Sequence, residues 1–245
     1  MALATAAAAP PPPSRIVIAS DSTAAPYESS RYPQMGWGML LPCSLKPGVE
    51  VVNLARGGRS TKTFQEEGLW ASLLANLRAG DTVLIQFGHN DEDLSKPQRH
   101  TDADGEFAAN LRRMVMDVRG KQAQPVLMTP VARVEFAGGH IKETHGAYAA
   151  AIKRVAADTG TPLIDLDARS MAYLDRLGEK AATARYLMTP LPQGGLDTTH
   201  LNELGARATA AIVARELKVL RLPVSRQVRP LDPAKAEVRG NAACG

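Results

Sequence analysis

The sequence has few of the features that mark several large classes of protein. Its 245 residues include only two cysteines, and no Cys-x-x-Cys pair or Cys/His spacing indicates a structural zinc site. Aromatic residues make up only 4% of the chain. No apolar run approaches the roughly 20 residues that cross a bilayer, so we expect no membrane partner. A disulfide between Cys43 and Cys244 is possible, although Cys244 lies in a segment that we expect to be flexible.

Nucleotide-binding motifs are also missing. The first apolar run is followed by Ala-Ser-Asp-Ser-Thr-Ala rather than by the G-x-G-x-x-G of dinucleotide-binding folds, and no Walker A sequence occurs. The chain carries 29 Lys and Arg against 25 Asp and Glu, a net charge of +4, without a long basic stripe. These observations argue against a nicotinamide or flavin enzyme and against nucleic acid as a partner.

The pattern of apolar segments predicts the fold class. Five short segments have the length of strands: 15–19, 50–55, 81–87, 125–129 and 162–166. Most are continuously apolar, which is typical of strands that are covered on both faces. Helical stretches alternate with these strands, and two more follow the last one; they lie near 63–78, 105–119, 143–158, 167–179 and 202–217. The alternation predicts an α/β fold in which a parallel sheet has helices on both sides.

Composition divides the chain into three parts. Residues 1–14 are a lead rich in alanine and proline that lacks the positive n-region and long apolar h-region of a signal peptide. This lead could be the linker left after a signal peptide was removed, so we expect a secreted or periplasmic protein. We expect a single domain over residues 15–221. Residues 222–245 are rich in proline and charge without periodicity, which predicts a loosely packed or disordered tail.

A serine follows the first predicted strand. The apolar run 16–19 ends abruptly at Ser20-Asp21-Ser22-Thr23. Such a turn would present the Ser22 hydroxyl at the carboxyl edge of the sheet, where open α/β folds bind their ligands. Taken alone, these hydroxyls are better explained as the cap of a helix that begins near residue 23.

A possible base lies near the last predicted helix, in Asp197-Thr198-Thr199-His200. A three-residue offset in a tight turn lets the Asp197 carboxylate reach the Nδ1–H of His200. That contact fixes the imidazole tautomer and aims Nε2 at a neighbouring group. Taken alone, the pair is also consistent with a turn aspartate beside a surface histidine.

Two further polar turns follow predicted strands. Asn90, in the turn 88–91, offers two amide N–H donors at the same sheet edge as the serine. The glycine pair Gly57-Gly58 lets the backbone bend and expose an N–H group. Each turn could also be an ordinary polar connection. His89 and Asp91 could suggest a metal-ligand pair, but two ligands without a partner cluster are weak evidence.

Together and in this order, these residues resemble the SGNH branch of the GDSL hydrolases, named for the Ser, Gly, Asn and His of its four motif blocks. The resemblance extends from about residue 15 to 217. The sequence is more closely similar to the rhamnogalacturonan acetylesterase group, carbohydrate esterase family twelve. The matching motifs are Asp21-Ser22-Thr23, Gly58-Arg59-Ser60, Gly88-His89-Asn90-Asp91 and Asp197-x-x-His200, with further similarity at 99–102 and 129–133. One position departs, because Ser20 stands where the family usually has glycine.

The resemblance implies the chemistry of a serine esterase on a three-layer α/β/α, flavodoxin-like fold with a five-stranded parallel sheet. Ser22 would attack an acetyl carbonyl, His200 would take its proton, and Asp197 would orient the imidazole. The backbone N–H groups of Ser22 and Gly58 and the side-chain amide of Asn90 would stabilise the oxyanion. Neither a metal nor an organic cofactor would be needed.

The sequence indicates the substrate less clearly than the chemistry. Basic residues near the predicted site could bind galacturonate carboxylates; they are Arg31, Arg56, Arg59, Lys62, Arg99 and Arg133. The predicted substrate contacts are Arg59, His89 and Arg133. We therefore expect the substrate to be an acetylated acidic polysaccharide or oligosaccharide such as pectin. We also expect the protein to be a monomer. The open alternatives are an acetylxylan or broad short-chain esterase, a lipid or thioester hydrolase, and a non-catalytic carbohydrate-binding homologue.

Overall fold

A computed structural model describes residues 15–244, so the predicted lead at 1–14 lies outside the described residues. The strands are β1 (Arg15–Ser20), β2 (Glu50–Asn53), β3 (Thr82–Gln86), β4 (Gln124–Met128), β5 (Phe136–Ala137), β6 (His140–Ile141) and β7 (Leu163–Ile164). Five of them form a parallel sheet in the order β2-β1-β3-β4-β7, while β5 and β6 pair separately as an antiparallel hairpin. The predicted five-stranded parallel sheet is confirmed.

The helices that cover the sheet are α1 (Trp37–Leu40), α2 (Thr61–Glu66), α3 (Leu69–Ala75), α4 (Ala108–Gly120), α5 (Gly146–Thr159), α6 (Leu166–Leu177), α7 (Glu179–Thr183) and α8 (Glu203–Val219). The single helix predicted near 63–78 is wrong in detail. It is two helices, because Gly68 between them has a φ of +75°, a left-handed conformation that interrupts the helix.

The core lies on both faces of the sheet because successive side chains of a strand point in opposite directions. Val17 and Val83 belong to a buried cluster that includes side chains from α2, α3, α4 and α5. Ile18 and Leu84 belong to a second cluster on the other face, with side chains from α1, α6 and α8. Continuous apolar strands are needed for this arrangement, and the α/β/α layering predicted from them is confirmed.

The C-terminal segment packs on the domain, so the expectation of a loose or disordered tail does not hold for residues 222–244. Short 3₁₀ turns form at Pro223–Gln227 and Pro233–Lys235. Val224 and Val228 are buried in the core cluster that surrounds α8. A few well-spaced apolar anchors therefore order a segment whose overall composition is polar.

The end of this segment is fastened covalently and by hydrogen bonds. Cys244 forms a disulfide with Cys43, 201 residues earlier in the chain. The buried Glu203 carboxylate, in the first turn of α8, accepts the backbone N–H groups of Arg239 and Gly240 at 2.7 and 2.9 Å. The segment is thus tied to the helix that begins three residues after His200.

The strand order sets the position of the site. β1 lies between β2 and β3, so the chain leaves β1 toward one edge of the sheet and then crosses to the other side. Loops that leave the carboxyl ends of β1 and β3 diverge at such a reversal, and the crevice between them is where ligands bind in open α/β sheets. No helix within residues 15–244 combines the length and apolar content that a membrane span requires.

Candidate active site

A cleft of about 950 Å³ lies at the carboxyl edge of the sheet. Its walls come from the loops after β1, β2, β3 and β4 and from the segment before α8. The structure brings together in this cleft all five residues predicted as catalytic residues or oxyanion donors: Ser22, Gly58, Asn90, Asp197 and His200.

Ser22, His200 and Asp197 form a continuous hydrogen-bonded line. The Ser22 Oγ lies 3.0 Å from Nε2 of His200, and Nδ1 of His200 lies 2.8 Å from Oδ2 of Asp197. Ser22 and Asp197 are buried, whereas about a third of the His200 side chain is exposed. The arrangement lets the imidazole accept the serine proton while the carboxylate stabilises the resulting imidazolium.

The loop before α8 holds Asp197 in its ionised form. Its Oδ1 accepts the backbone N–H groups of Thr199 and His200 at 3.1 and 2.9 Å. Burial by itself raises the pKa of the Asp197 carboxyl, but the hydrogen bonds from His200 and from the two backbone groups outweigh it and hold the pKa below its usual value. An ionised carboxylate is the form that orients and stabilises the catalytic imidazole.

The turn that carries Ser22 is fixed by its neighbours. The buried Asp21 carboxylate accepts the backbone N–H and the hydroxyl of Thr23 at 2.9 and 2.8 Å, and the Tyr27 hydroxyl donates to the Ser22 carbonyl at 2.8 Å. Ser20, which replaces the glycine usual in the family, is the buried last residue of β1 and stays in extended conformation. The substitution is tolerated because this position requires no positive φ.

Three N–H groups are available to an oxyanion. Within the described chain, the backbone N–H groups of Ser22 and Gly58 donate to no protein acceptor, and both residues line the cleft. Gly58 has a φ of +78°, which favours glycine at this turn. The Asn90 amide donates one of its two hydrogens to the Arg59 carbonyl at 2.9 Å, which leaves the other free.

Asp91 joins the two loops that carry the predicted oxyanion donors Gly58 and Asn90. It is buried after Asn90, and its Oδ1 accepts the Thr61 backbone N–H at 3.0 Å, the Thr61 hydroxyl at 2.5 Å and the Thr101 hydroxyl at 2.8 Å. Burial raises the pKa of Asp91 to about 7 against the opposing effect of these hydrogen bonds. Asp91 thus has a structural role, and no three potential metal-ligating residues cluster within residues 15–244. The expectations of no cofactor and of a monomer stay predictions.

The three predicted substrate contacts have different surroundings. Arg59 does not line the cleft, because its guanidinium pairs with Glu67 at 2.9 Å and donates to the Gly57 carbonyl at 2.8 Å. His89 lines the cleft, but it is buried, and its Nδ1 lies 3.3 Å from the Asp21 carboxylate. Burial lowers the pKa of His89 despite that carboxylate.

Among the other cations near the cleft, Arg133 and Arg99 are already paired with carboxylates. Arg133 lies 2.5 Å from Glu92, and Arg99 lies 2.5 Å from Asp93. Arg56 and Lys62, two of the basic residues expected near the site, do not line the cleft. Arg31 and Lys96 do line it, and neither forms an ion pair with any residue of the described chain; Arg31 donates to the Gln34 side chain at 2.8 Å.

Sequence reasoning missed the acidic residue Glu92, which lines the cleft, and the buried histidine His145, whose ring contacts Glu92. Glu92 directly follows the third motif block, and His145 lies at the start of α5, far from any motif. Position alone could have suggested Glu92. Nothing in the sequence marks His145, because its burial against the cleft depends on how α5 packs.

Comparison with known proteins shows the family to which the chain belongs. The model of the GDSL-like lipase/acylhydrolase family matches residues 21–208. The chain is 35% identical over 213 residues to the probable rhamnogalacturonan acetylesterase YesY of Bacillus subtilis (strain 168), which covers 87% of this chain and 96% of YesY. It is 34% identical over 217 residues to the rhamnogalacturonan acetylesterase RhgT of the same organism, which covers 86% of this chain and 92% of RhgT.

Solved structures give the same fold. The crystal structure of YxiM from Bacillus subtilis superposes with a TM-score of 0.77 and 29% identity; the match covers 86% of this chain and 58% of that one. Axe2, an acetylxylan esterase from Geobacillus stearothermophilus, shares the fold with a TM-score of 0.60 at 21% identity over 84% of this chain and 93% of its own. The resemblance to SGNH hydrolases predicted from the sequence is confirmed. The chain belongs to the GDSL-like lipase/acylhydrolase family.

Proposed function

We propose that this protein is a serine esterase that removes O-acetyl groups from acetylated rhamnogalacturonan, an acidic component of pectin. The observation that carries the proposal is the line from Ser22 Oγ through His200 to Asp197, with contacts of 3.0 and 2.8 Å, beside three available N–H donors. The names of YesY and RhgT support the choice of polymer.

The reaction proceeds in two halves. Ser22 Oγ attacks the acetyl carbonyl while its proton passes to Nε2 of His200, and the oxyanion accepts hydrogen bonds from Ser22, Gly58 and Asn90. Collapse of this intermediate breaks the bond to the sugar oxygen, which takes the proton from His200 and leaves as a hydroxyl. Water then attacks the acetyl-enzyme with His200 as base, and acetate departs as Ser22 regains its proton.

The lining of the cleft supports a sugar ester rather than a lipid. A long acyl chain is bound best by a continuous apolar trough. Here the apolar residues of the cleft, such as Leu187 and Leu191, are interspersed with Gln193, Thr189 and several charged side chains.

Two cations support an acidic substrate. Arg31 and Lys96 line the cleft without carboxylate partners, so their charge is available to galacturonate. A neutral polymer such as xylan would gain little from them. We therefore assign the recognition of galacturonate to Arg31 and Lys96 rather than to Arg59, whose charge is neutralised outside the cleft.

The disulfide supports a location. We infer that the protein acts in an oxidising compartment, as a secreted or periplasmic enzyme, because disulfides such as Cys43–Cys244 persist there and are rare in reducing cytosol. Recovery of the native protein solely from the cytosol, with both thiols reduced, would contradict this inference.

Acetate release from acetylated rhamnogalacturonan, homogalacturonan and xylan tests the proposal, with Ser22→Ala as the inactive control. We expect rhamnogalacturonan to give the highest kcat/KM. We expect Arg31→Gln combined with Lys96→Gln to raise KM for rhamnogalacturonan roughly two- to thirtyfold, because both side chains are exposed and an exposed ion pair contributes about 0.2–1 kcal/mol. Lys180→Gln, which removes an exposed charge on α7, is the matched control.

Three outcomes would contradict the proposal. A higher kcat/KM for xylan would mean that the substrate is wrong. A preference for octanoyl over acetyl p-nitrophenyl ester would favour a lipid or thioester hydrolase. Binding of the acetylated polymer without acetate release would favour a non-catalytic carbohydrate-binding protein.

A further inference from the structure

Arg133 bridges two loops of the active site instead of projecting a free charge into it. One terminal nitrogen, Nη2, lies 2.5 Å from Oε1 of Glu92. On the other side of the guanidinium, Nε donates to Oγ1 of Thr199 at 3.2 Å. The Arg133 and Glu92 side chains are only 19% and 14% exposed, so solvent screens their attraction less than it does at the surface.

The two partners of Arg133 belong to different parts of the catalytic apparatus. Glu92 lies two residues after Asn90, on the loop that supplies an oxyanion donor. Thr199 lies between Asp197 and His200, on the loop that supplies the base. A single planar guanidinium therefore connects the loop that binds the oxyanion to the loop that moves the proton.

His145 supports the acidic side of this bridge. Its Nδ1 lies 3.1 Å from Oε2 of Glu92 and 3.4 Å from Nη1 of Arg133, and its Nε2 lies 3.1 Å from the Val131 carbonyl. Because a carbonyl can only accept, Nε2 carries a hydrogen. Burial raises the pKa of Glu92, but His145 and Arg133 outweigh it and hold the pKa below its usual value. Glu92 thus stays anionic and keeps its hold on Arg133.

A backbone contact strengthens the same connection. The N–H of Val134, next to Arg133, donates to the Thr198 carbonyl at 2.9 Å. The loop after β4 therefore contacts the catalytic loop through both its backbone and its arginine side chain.

We propose that Arg133 is a positioning residue that sets the distance between the Asn90 loop and the His200 loop, so that both converge on Ser22. The inference rests on the proposed serine esterase function. It replaces the prediction that Arg133 binds the substrate carboxylate, because Glu92 already neutralises its charge and Thr199 and His145 contact its other nitrogens.

The test separates positioning from substrate binding by using p-nitrophenyl acetate, which has no carboxylate for an arginine to bind. Thr199→Val removes the acceptor at nearly constant volume, and Arg133→Lys keeps the charge but loses the planar fork that reaches both loops. We expect each variant to lower kcat on p-nitrophenyl acetate roughly tenfold with KM nearly unchanged, because small misplacements of reacting groups cost large factors in rate.

A conservative variant at the same position distinguishes a positioning role of the Thr199 hydroxyl from a loss of overall protein stability. Thr199→Ser keeps the hydroxyl, so we expect its kcat to stay within about twofold of the parent protein. Arg112→Lys, which alters an exposed arginine paired with Asp158, is the matched control for the arginine variant. Thermal unfolding of every variant is measured in parallel. If Arg133→Lys does not fold, the comparison of Thr199→Val with Thr199→Ser still gives the result.

Two results would overturn the inference. Unchanged kcat on p-nitrophenyl acetate together with a raised KM on rhamnogalacturonan would make Arg133 a substrate ligand. Equal losses in Thr199→Val and Thr199→Ser would mean that the hydroxyl contact does not matter. Failure of the parent protein on rhamnogalacturonan alone would instead contradict the proposed polymer and leave this test intact.

Discussion

Replacing Asn90 by alanine tests its proposed role as an oxyanion donor separately from the proposed roles of Ser22, His200 and Asp197. The Asn90 amide has one hydrogen held by the Arg59 carbonyl at 2.9 Å and one free hydrogen in the cleft, and two backbone N–H groups complete the set. Removing one preorganised donor of this kind costs about 2.7–4 kcal/mol of transition-state stabilisation, a loss of roughly 10²–10³ in kcat. KM for p-nitrophenyl acetate should change much less, because the donor acts mainly on charge that develops during the reaction.

The same substitution has a small, separate effect on stability. Loss of the hydrogen bond to the Arg59 carbonyl should cost about 1 kcal/mol, which lowers Tm by about 2–4 °C in a chain of this size. Asn76→Ala removes a comparable amide-to-carbonyl bond of 2.9 Å, to Ser72 at the end of α3, and serves as the control. A loss of less than about fivefold in kcat for Asn90→Ala, or a loss that Asn76→Ala matches, would refute the reasoning.

Two further predictions concern stability. Reduction of Cys43–Cys244, or Cys43→Ser, should lower the unfolding free energy measured in urea by up to about 5 kcal/mol, because the crosslink closes a loop of 201 residues in the unfolded chain; an unchanged urea midpoint would contradict this. Folding raises the pKa of Asp91 from 3.8 to about 7, so the folded protein binds this proton more tightly than the unfolded chain does. The resulting contribution to the free energy of unfolding is fully present below about pH 4 and is lost as the pH rises through 7. The unfolding free energy should therefore fall by up to about 4 kcal/mol from pH 4 to 8, relative to Asp91→Asn; parallel pH profiles would contradict it.

Local patterns in the sequence were sufficient to predict the layers of the fold. The line from Ser22 through His200 to Asp197 was predicted from the resemblance to SGNH hydrolases, because each of its motifs taken alone is also consistent with an ordinary turn or cap. Strands buried on both faces are continuously apolar, and strands joined by helices run parallel, so β1 and β3 could be located from the sequence. Motifs that follow strand ends must meet at one edge of the sheet. This is why Ser22 and Asn90, far apart in the chain, could be predicted as neighbours.

Features that depend on contacts between distant segments could not be predicted in this way. The order of the C-terminal segment depends on the pairing of Cys244 with Cys43 and on the backbone groups that Glu203 accepts. Neither produces a local pattern. The break near Gly68 was missed because a single glycine within an apolar pattern costs a helix only about 1 kcal/mol, and tertiary packing decides whether the helix continues.

The ion pairs formed by the basic residues of the cleft could not be predicted from the sequence either. A sequence locates arginines near a site, but it does not show which carboxylate each one meets. Arg133 is neutralised by Glu92, which is 41 residues away in the chain, whereas Lys96 lines the cleft without a carboxylate partner among residues 15–244. Only the packing of the loops separates a structural cation from one that is available to substrate.

Covalent labelling of the nucleophile tests the central claim most directly. The parent protein is incubated with diethyl p-nitrophenyl phosphate, which traps a serine activated by an adjacent base, and the modified peptide is located by mass spectrometry. We expect a single diethylphosphoryl group on Ser22, loss of esterase activity in proportion to labelling, and no labelling of Ser22 in His200→Ala. Labelling at another residue, or full esterase activity in Ser22→Ala, would contradict the account.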